Sequence, residues 1–229
     1  MAFEPGAAVF DEIAPHPEDV NPLDELIHER AYVVRAYRKG RDTLVLRGSV
    51  RDQKPPGLYV PNDPEPLTVH HMVVDLHIKV PSLEITQATV VLETHPHASC
   101  PRIEDHYGNL VGLSITRGFT HRVRELFGGP RGCTHTTALL QAMAPVAVQS
   151  LWSFRVAAAR DEPSKREAFG TLEGRERALR MNLNTCHVWA DDGEQVTAIR
   201  NNEPMEIPVW IVKRFNKLGL DPTAWRNSD

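Results

Sequence analysis

The sequence predicts an α+β fold, an antiparallel meander of about four strands followed by helices packed on one face of the sheet. Three observations predict it. The runs at 31–51 and 69–94 read as strands with a period near two. Beyond Pro101 the period shifts to about 3.6. Strand-like runs come first in the chain and helix-like runs after.

The elements follow in order. Residues 1–29 carry Pro5, Pro15, Pro17 and Pro22 among acidic residues and read as an extended or mobile arm. The rest, 30–229, reads as a single domain with a C-terminal helical extension. Ala31 to Arg38 and Thr43 to Arg51 are β-like runs joined by Lys39-Gly40-Arg41-Asp42, which has the length and composition of a hairpin loop. Residues 52–68 are proline-rich without periodicity, a long loop of the kind that is often functional. In Val69 to Val80, Met72, Val74, Leu76, Ile78 and Val80 share one face, and His71, Val73, Asp75, His77 and Lys79 the other. After Pro81-Ser82 the partner strand runs from Glu84 to Thr94.

Thr120 caps a short helix, HRVRELF, closed by Gly128-Gly129. Thr134 opens a longer one with an apolar stripe of Ala138, Leu139, Ala142, Met143, Val146, Leu151 and Phe154, in which Pro145 predicts a kink. Residues 161–185 form a further helical stretch, and Pro208 to Leu218 a last helix, with proline in its first turn and Gly219 after its end.

Composition narrows the function. At 229 residues, with 41% hydrophobic and 24% charged residues, the chain is an ordinary globular protein. A formal charge of -4, from 26 Lys and Arg against 30 Asp and Glu, gives no footprint for nucleic acid. The acidic amino terminus does not read as a signal peptide, and no apolar run is long enough for a membrane span. Cys100, Cys133 and Cys186 are odd in number and widely spread, which predicts reduced thiols in a cytoplasm.

The chemistry is expected at Gly128-Gly129-Pro130-Arg131-Gly132-Cys133-Thr134-His135, where a glycine-rich turn enters a helix. A cysteine at a helix start lies near unpaired backbone N–H groups that favour negative charge on sulfur. Arg131 adds a positive charge, and the glycines let a backbone approach a ligand closely. His135 stands two residues on, so it meets Cys133 only if the cysteine lies in the turn before the helix. The plain alternative makes Cys133 a buried small hydrophobe and His135 a residue bonding to the sheet.

Three weaker features accompany it. His95 and His97 share one side of extended chain, a spacing that chelates metal or merely ends a strand. In Asn184-Thr185-Cys186-His187-Val188-Trp189 neighbouring side chains point apart, so at most one of Cys186 and His187 faces a given pocket. Asp75 lies within an apolar strand and faces either water or a site. No paired CxxC, HExxH, dinucleotide or Walker loop, or GxSxG occurs.

PHASCP at 96–101, GFTHRVRELFGGPRGCTH at 118–135 and NTCHVW at 184–189 together resemble an uncharacterised bacterial family of unknown function with a GCTH signature, from about Thr43 to about Ile199. More distantly, strands followed by a cysteine at a helix start look like the NifU/IscU-type iron-sulfur scaffold. That resemblance implies Cys133 as a cluster ligand, with Asp75 or Cys100 beside it. The strands here hold Asp75 and histidines but no cysteine, so the likeness concerns fold more than cluster assembly.

The leading expectation is a cofactor-independent enzyme cleaving an aromatic or hydrophobic catabolic intermediate by lyase-type acid/base chemistry, with isomerase or hydrolase chemistry next in order. His135 is the base or acid, Cys133 a nucleophile or polar partner, Asp75 the orienting carboxylate, and Arg131 or Arg117 the anion clamp. Tyr107, Phe119, Phe127, Trp152 and Trp189 wall an apolar pocket or belong to the core. The alternatives are a zinc or iron carrier using Cys100, Cys133, His135 and Asp75, and a non-catalytic binding subunit. The expected partners are a small-molecule substrate and other copies of the chain in a homo-oligomer, with no nucleic acid and no membrane.

Overall fold

A computed structural model describes residues 26–116, 118–161, 172–203 and 206–227. The expected arm falls largely on residues outside these. The chain divides into two compact units, Met1–Leu151 and Trp152–Asp229.

The first unit opens with four strands, β1 (Glu29–Lys39), β2 (Thr43–Lys54), β3 (Leu67–Lys79) and β4 (Glu84–Thr94), in the order β1-β2-β3-β4 with every neighbour antiparallel. This is the expected α+β meander. One boundary differs in a way that matters. β2 continues through Asp52 to Lys54 and β3 starts at Leu67, so the loop is confined to 55–66. Asp52 pairs with Arg30 of β1 and with His70 of β3 in register, so the ladder on both sides carries the strand up to the first proline, Pro55.

Alternation gives the sheet its inner face: Leu44, Leu46 and Val50 of β2 and Met72, Val74, Leu76 and Ile78 of β3 are all buried. Each contributes about 1.5–3 kcal/mol on leaving water. Gly48 lies in the same row, and a Cβ there would stand 2.6 Å from Met143 Sδ and 3.2 Å from a Leu139 methyl. The missing side chain is the slot into which a helix settles.

That helix is α2 (Thr134–Asp161), 28 residues with Pro145 inside it; α1 (Phe119–Phe127) precedes it and buries Phe119, Val123 and Phe127. A 3-10 segment, Cys100–Leu110, links the sheet to α1 and buries Tyr107 and Leu110.

Beyond the last turns of α2, the second unit holds α3 (Leu172–Asn182), α4 (Glu194–Arg200) and α5 (Val209–Lys217), with short 3-10 turns at His187–Trp189 and Pro222–Asn227. Ala178, Val196, Ile199 and Ile211 are buried. Of the helical stretch expected over 161–185, the part at 162–171 lies outside the described residues. The last helix has Pro208 at its N-cap and Gly219 at φ +68 after its end. Among the described residues no helix is long and apolar enough to cross a membrane.

Candidate active site

The inner face of the sheet is apolar until its last rung. There Arg30, Asp52 and His70 stand side by side on β1, β2 and β3, because the register sets Arg30 opposite Asp52 and Asp52 opposite His70. Asp52 is 2% exposed, a carboxylate placed where the pattern calls for a hydrophobe. A buried charge needs partners, and Arg30 supplies a two-pronged bond: Nε donates to Oδ1 at 2.6 Å and Nη2 to Oδ2 at 2.7 Å. Three imidazoles surround the same carboxylate. His28 Nε2 lies 3.6 Å from Oδ1, His70 Nδ1 3.4 Å from Oδ2 and His135 Nε2 3.0 Å from Oδ2.

His135 reaches this rung from the first turn of α2. Cys133 is the residue before the helix, and its carbonyl accepts the first helical bond, from Thr137 N–H at 2.9 Å. The buried Tyr107 fixes that point, its hydroxyl accepting the Cys133 N–H at 2.8 Å. Its ring stacks on Phe127 at the end of α1, 4.7 Å between centroids. With Cys133 outside the helix and His135 inside, the two side chains meet: Sγ lies 3.8 Å from His135 Nδ1. The imidazole thus has sulfur on one nitrogen and carboxylate on the other. His70 stacks on it, with centroids 4.0 Å apart.

The charges are set by these contacts. Arg30 holds the Asp52 carboxyl down to about 2, against a cost from burial. Burial pushes His135 below the usual imidazole range, and the neighbouring His70 adds to this while Asp52 opposes it. His135 is therefore a neutral imidazole at pH 7.

The glycines of the turn do something other than admit a ligand. A Cβ on Gly128 would stand 2.3 Å from the Arg124 carbonyl oxygen, and one on Gly132 2.5 Å from that of Phe127. They let the turn fold against the backbone of α1. Arg131 serves the same end, since its guanidinium donates to the Glu125 carbonyl at 2.9 Å and reaches that of Arg124 at 3.3 Å. It is committed to the carbonyl end of α1 rather than held out as an anion clamp.

The carboxylate on His135 is Asp52, not Asp75. Asp75 lies on the opposite face of β3, where its Oδ1 is 3.2 Å from Arg47 Nε. Cys100 begins the 3-10 segment, and His95 Nδ1 bonds the backbone carbonyl of His97 at 2.9 Å. Among the described residues, the three-ligand group is Asp52, His70 and His135, without Cys100, Cys133 or Asp75. Phe119 is buried in the core of the first unit. Trp152 and Trp189 belong to the second unit, as do the exposed Cys186 and the neighbouring His187. Arg117 lies outside the described residues.

An open hollow of about 490 Å³ is lined by His28 and Lys54 and by the exposed Ile27, Leu58 and Tyr59. His28 joins it to the cluster. The hollow joins apolar side chains to the His28 imidazole and to the ammonium group of Lys54, whose Nζ lies 5.3 Å from the centre of the Tyr59 ring.

The sequence model of one family, described as Protein of unknown function (DUF2889), matches residues 28–149. The match holds every member of the cluster, from His28 to His135, and leaves NTCHVW at 184–189 outside. No curated protein and no solved structure matches the chain.

Proposed function

We propose that the chain, which belongs to the DUF2889 family of proteins of unknown function, is a small-molecule enzyme whose chemistry is carried by Cys133, His135 and Asp52. One observation carries this reading: the two nitrogens of the His135 ring lie 3.0 Å from a carboxylate oxygen and 3.8 Å from a thiol sulfur. A carboxylate only accepts, so Nε2 bears the hydrogen and Nδ1 turns its lone pair to sulfur. In that tautomer Nδ1 takes the Cys133 proton, and the thiolate forms beside the free N–H groups of α2. Asp52 orients the ring and balances the imidazolium, and Arg30 fixes Asp52.

The thiolate then takes a proton from the substrate while Nδ1–H gives one to the departing group as a substrate bond breaks, which restores thiol and neutral ring and amounts to lyase-type cleavage without a redox cofactor. The hollow beside His28 supports a substrate with an apolar or aromatic body, and Lys54 favours an anionic group on it. Three free cysteines suit a reducing cytoplasm, and assembly into a homo-oligomer belongs to the same proposal. An iron-sulfur scaffold has less support, because the three-ligand group includes no sulfur.

The test is the rate at which iodoacetamide alkylates Cys133, resolved by peptide mass spectrometry with the exposed Cys186 as internal reference. The reading expects half-buried Cys133 to outpace Cys186 at pH 7 and to lose about tenfold or more in His135→Ala. An unchanged Cys133 rate in that variant would remove His135 as its base.

A further inference from the structure

The proton relay leaves His70 idle, and its position is costly. Its Nδ1 is buried without a hydrogen bond, turned toward Asp52 Oδ2 at 3.4 Å. A buried ring nitrogen that makes no hydrogen bond calls for an explanation. One ligand atom from each of His70, His135 and Asp52 lies within 4.8 Å of the other two.

We propose that Asp52, His70 and His135 form a binding site for one divalent transition-metal ion of the zinc type. Ligands about 2.0–2.1 Å from a tetrahedral ion stand about 3.3 Å from each other. The two carboxylate–imidazole separations, 3.0 and 3.4 Å, bracket that value. Two imidazoles and one carboxylate select zinc, cobalt or iron over magnesium or calcium. Three protein ligands leave a position open for water, as in catalytic rather than structural sites.

The surroundings supply the outer bonds such a site needs. Arg30 occupies one lone pair on each Asp52 oxygen, so Oδ2 keeps another for an ion, and its positive charge tempers the affinity. Cys133 Sγ stands where it accepts a hydrogen from His135 Nδ1. The rings stack 4.0 Å apart and 25° from parallel, so to share an ion they must turn about their side-chain bonds until both lone pairs meet at one point.

Metal binding at this site goes beyond the relay and opposes it. A metal on Nε2 places the ring hydrogen on Nδ1, which then cannot take the Cys133 proton. Metal loading therefore silences the thiol, while the open position supplies activated water instead.

Co²⁺ titration of the chelator-treated full chain tests this, read by calorimetry and by visible absorption, with Cys133 alkylation followed in parallel. The expected result is one equivalent bound without sulfur-to-cobalt charge-transfer bands, retained in Cys133→Ser and weakened at least tenfold in His70→Ala. Cobalt should slow Cys133 alkylation in the wild type and leave it unchanged in His70→Ala. No binding, binding lost in Cys133→Ser, or binding indifferent to His70→Ala would each overturn the site. Failure of the relay would show separately, in the metal-free alkylation rate of His135→Ala.

Discussion

The guanidinium of Arg30 grips both oxygens of Asp52 from the facing position of the next strand, at 2.6 and 2.7 Å. Asp52 is 3% exposed and Arg30 35% exposed at the side chain, so the pair is buried on one side only. Breaking a fully buried pair costs about 3–5 kcal/mol, and the exposure of Arg30 reduces this. Arg30→Met is expected to lose about 2–3 kcal/mol of unfolding free energy by urea denaturation. Asp52→Asn, which removes the stranded charge, should lose less. An Arg30→Met protein of wild-type stability would mean that water, not Arg30, compensates Asp52.

Gly132→Ala separates space from conformation. Gly132 has an extended backbone at φ -160, which any residue adopts, yet its Cβ would meet the Phe127 carbonyl oxygen at 2.5 Å. The obstacle is backbone, so Cys133 must move with the turn. Gly48→Ala meets a flexible methionine at a similar distance and should cost only about 1 kcal/mol. Gly132→Ala is expected to cost about 2 kcal/mol or more and to slow Cys133 alkylation several-fold. Equal effects at both glycines would show that the turn yields as easily as the Met143 side chain.

The sheet was legible because alternation in β3 is long and clean, and the turn before α2 because glycine and cysteine mark it. Asp52 was not legible. Pro55 and Pro56 draw the loop boundary forward to 52, although Asp52 keeps step with Leu44, Leu46 and Val50. His70 keeps step with Met72 in the same way, yet an apolar strand draws the eye to Asp75, which faces outward. The Arg30–Asp52 pairing follows from the short hairpin at Gly40, which sets register locally. The Asp52–His70 pairing crosses a twelve-residue loop, 55–66, and a bulge after Asp52, so no local signal sets it. The arrival of His135 depends on where α2 lies on the sheet, a matter of packing at Gly48.

Acid should destabilise the metal-free protein in two steps of one sign. The folded state holds His135 below the free value of 6.5, so as pH falls through 6.5 the unfolded chain takes that proton first and stability declines. Asp52 is held at about 2 against 3.8 when free, so its stabilisation is present above about pH 4 and lost as pH falls toward 2. The second step amounts to about 2 kcal/mol. Urea melts across pH 2–7 in the presence of a chelator should show both, with His135→Gln flattening the upper step and Asp52→Asn the lower. A wild-type profile level from pH 7 to 5 would contradict the burial of a neutral His135.

Tyr107→Phe tests how the site is held rather than what it does. The Tyr107 hydroxyl accepts the Cys133 N–H at 2.8 Å, and the ring is buried against Phe127. Removing the oxygen alone keeps the stack and leaves that N–H without its acceptor, at a cost of about 1–2 kcal/mol. Because the bond fixes the residue that carries the sulfur, the loss should appear in the chemistry as well as in stability. Cys133 alkylation is expected to slow a few-fold in Tyr107→Phe, with Cys186 unchanged. A stability loss with an unaltered Cys133 rate would show that the helix start alone positions the thiol against His135.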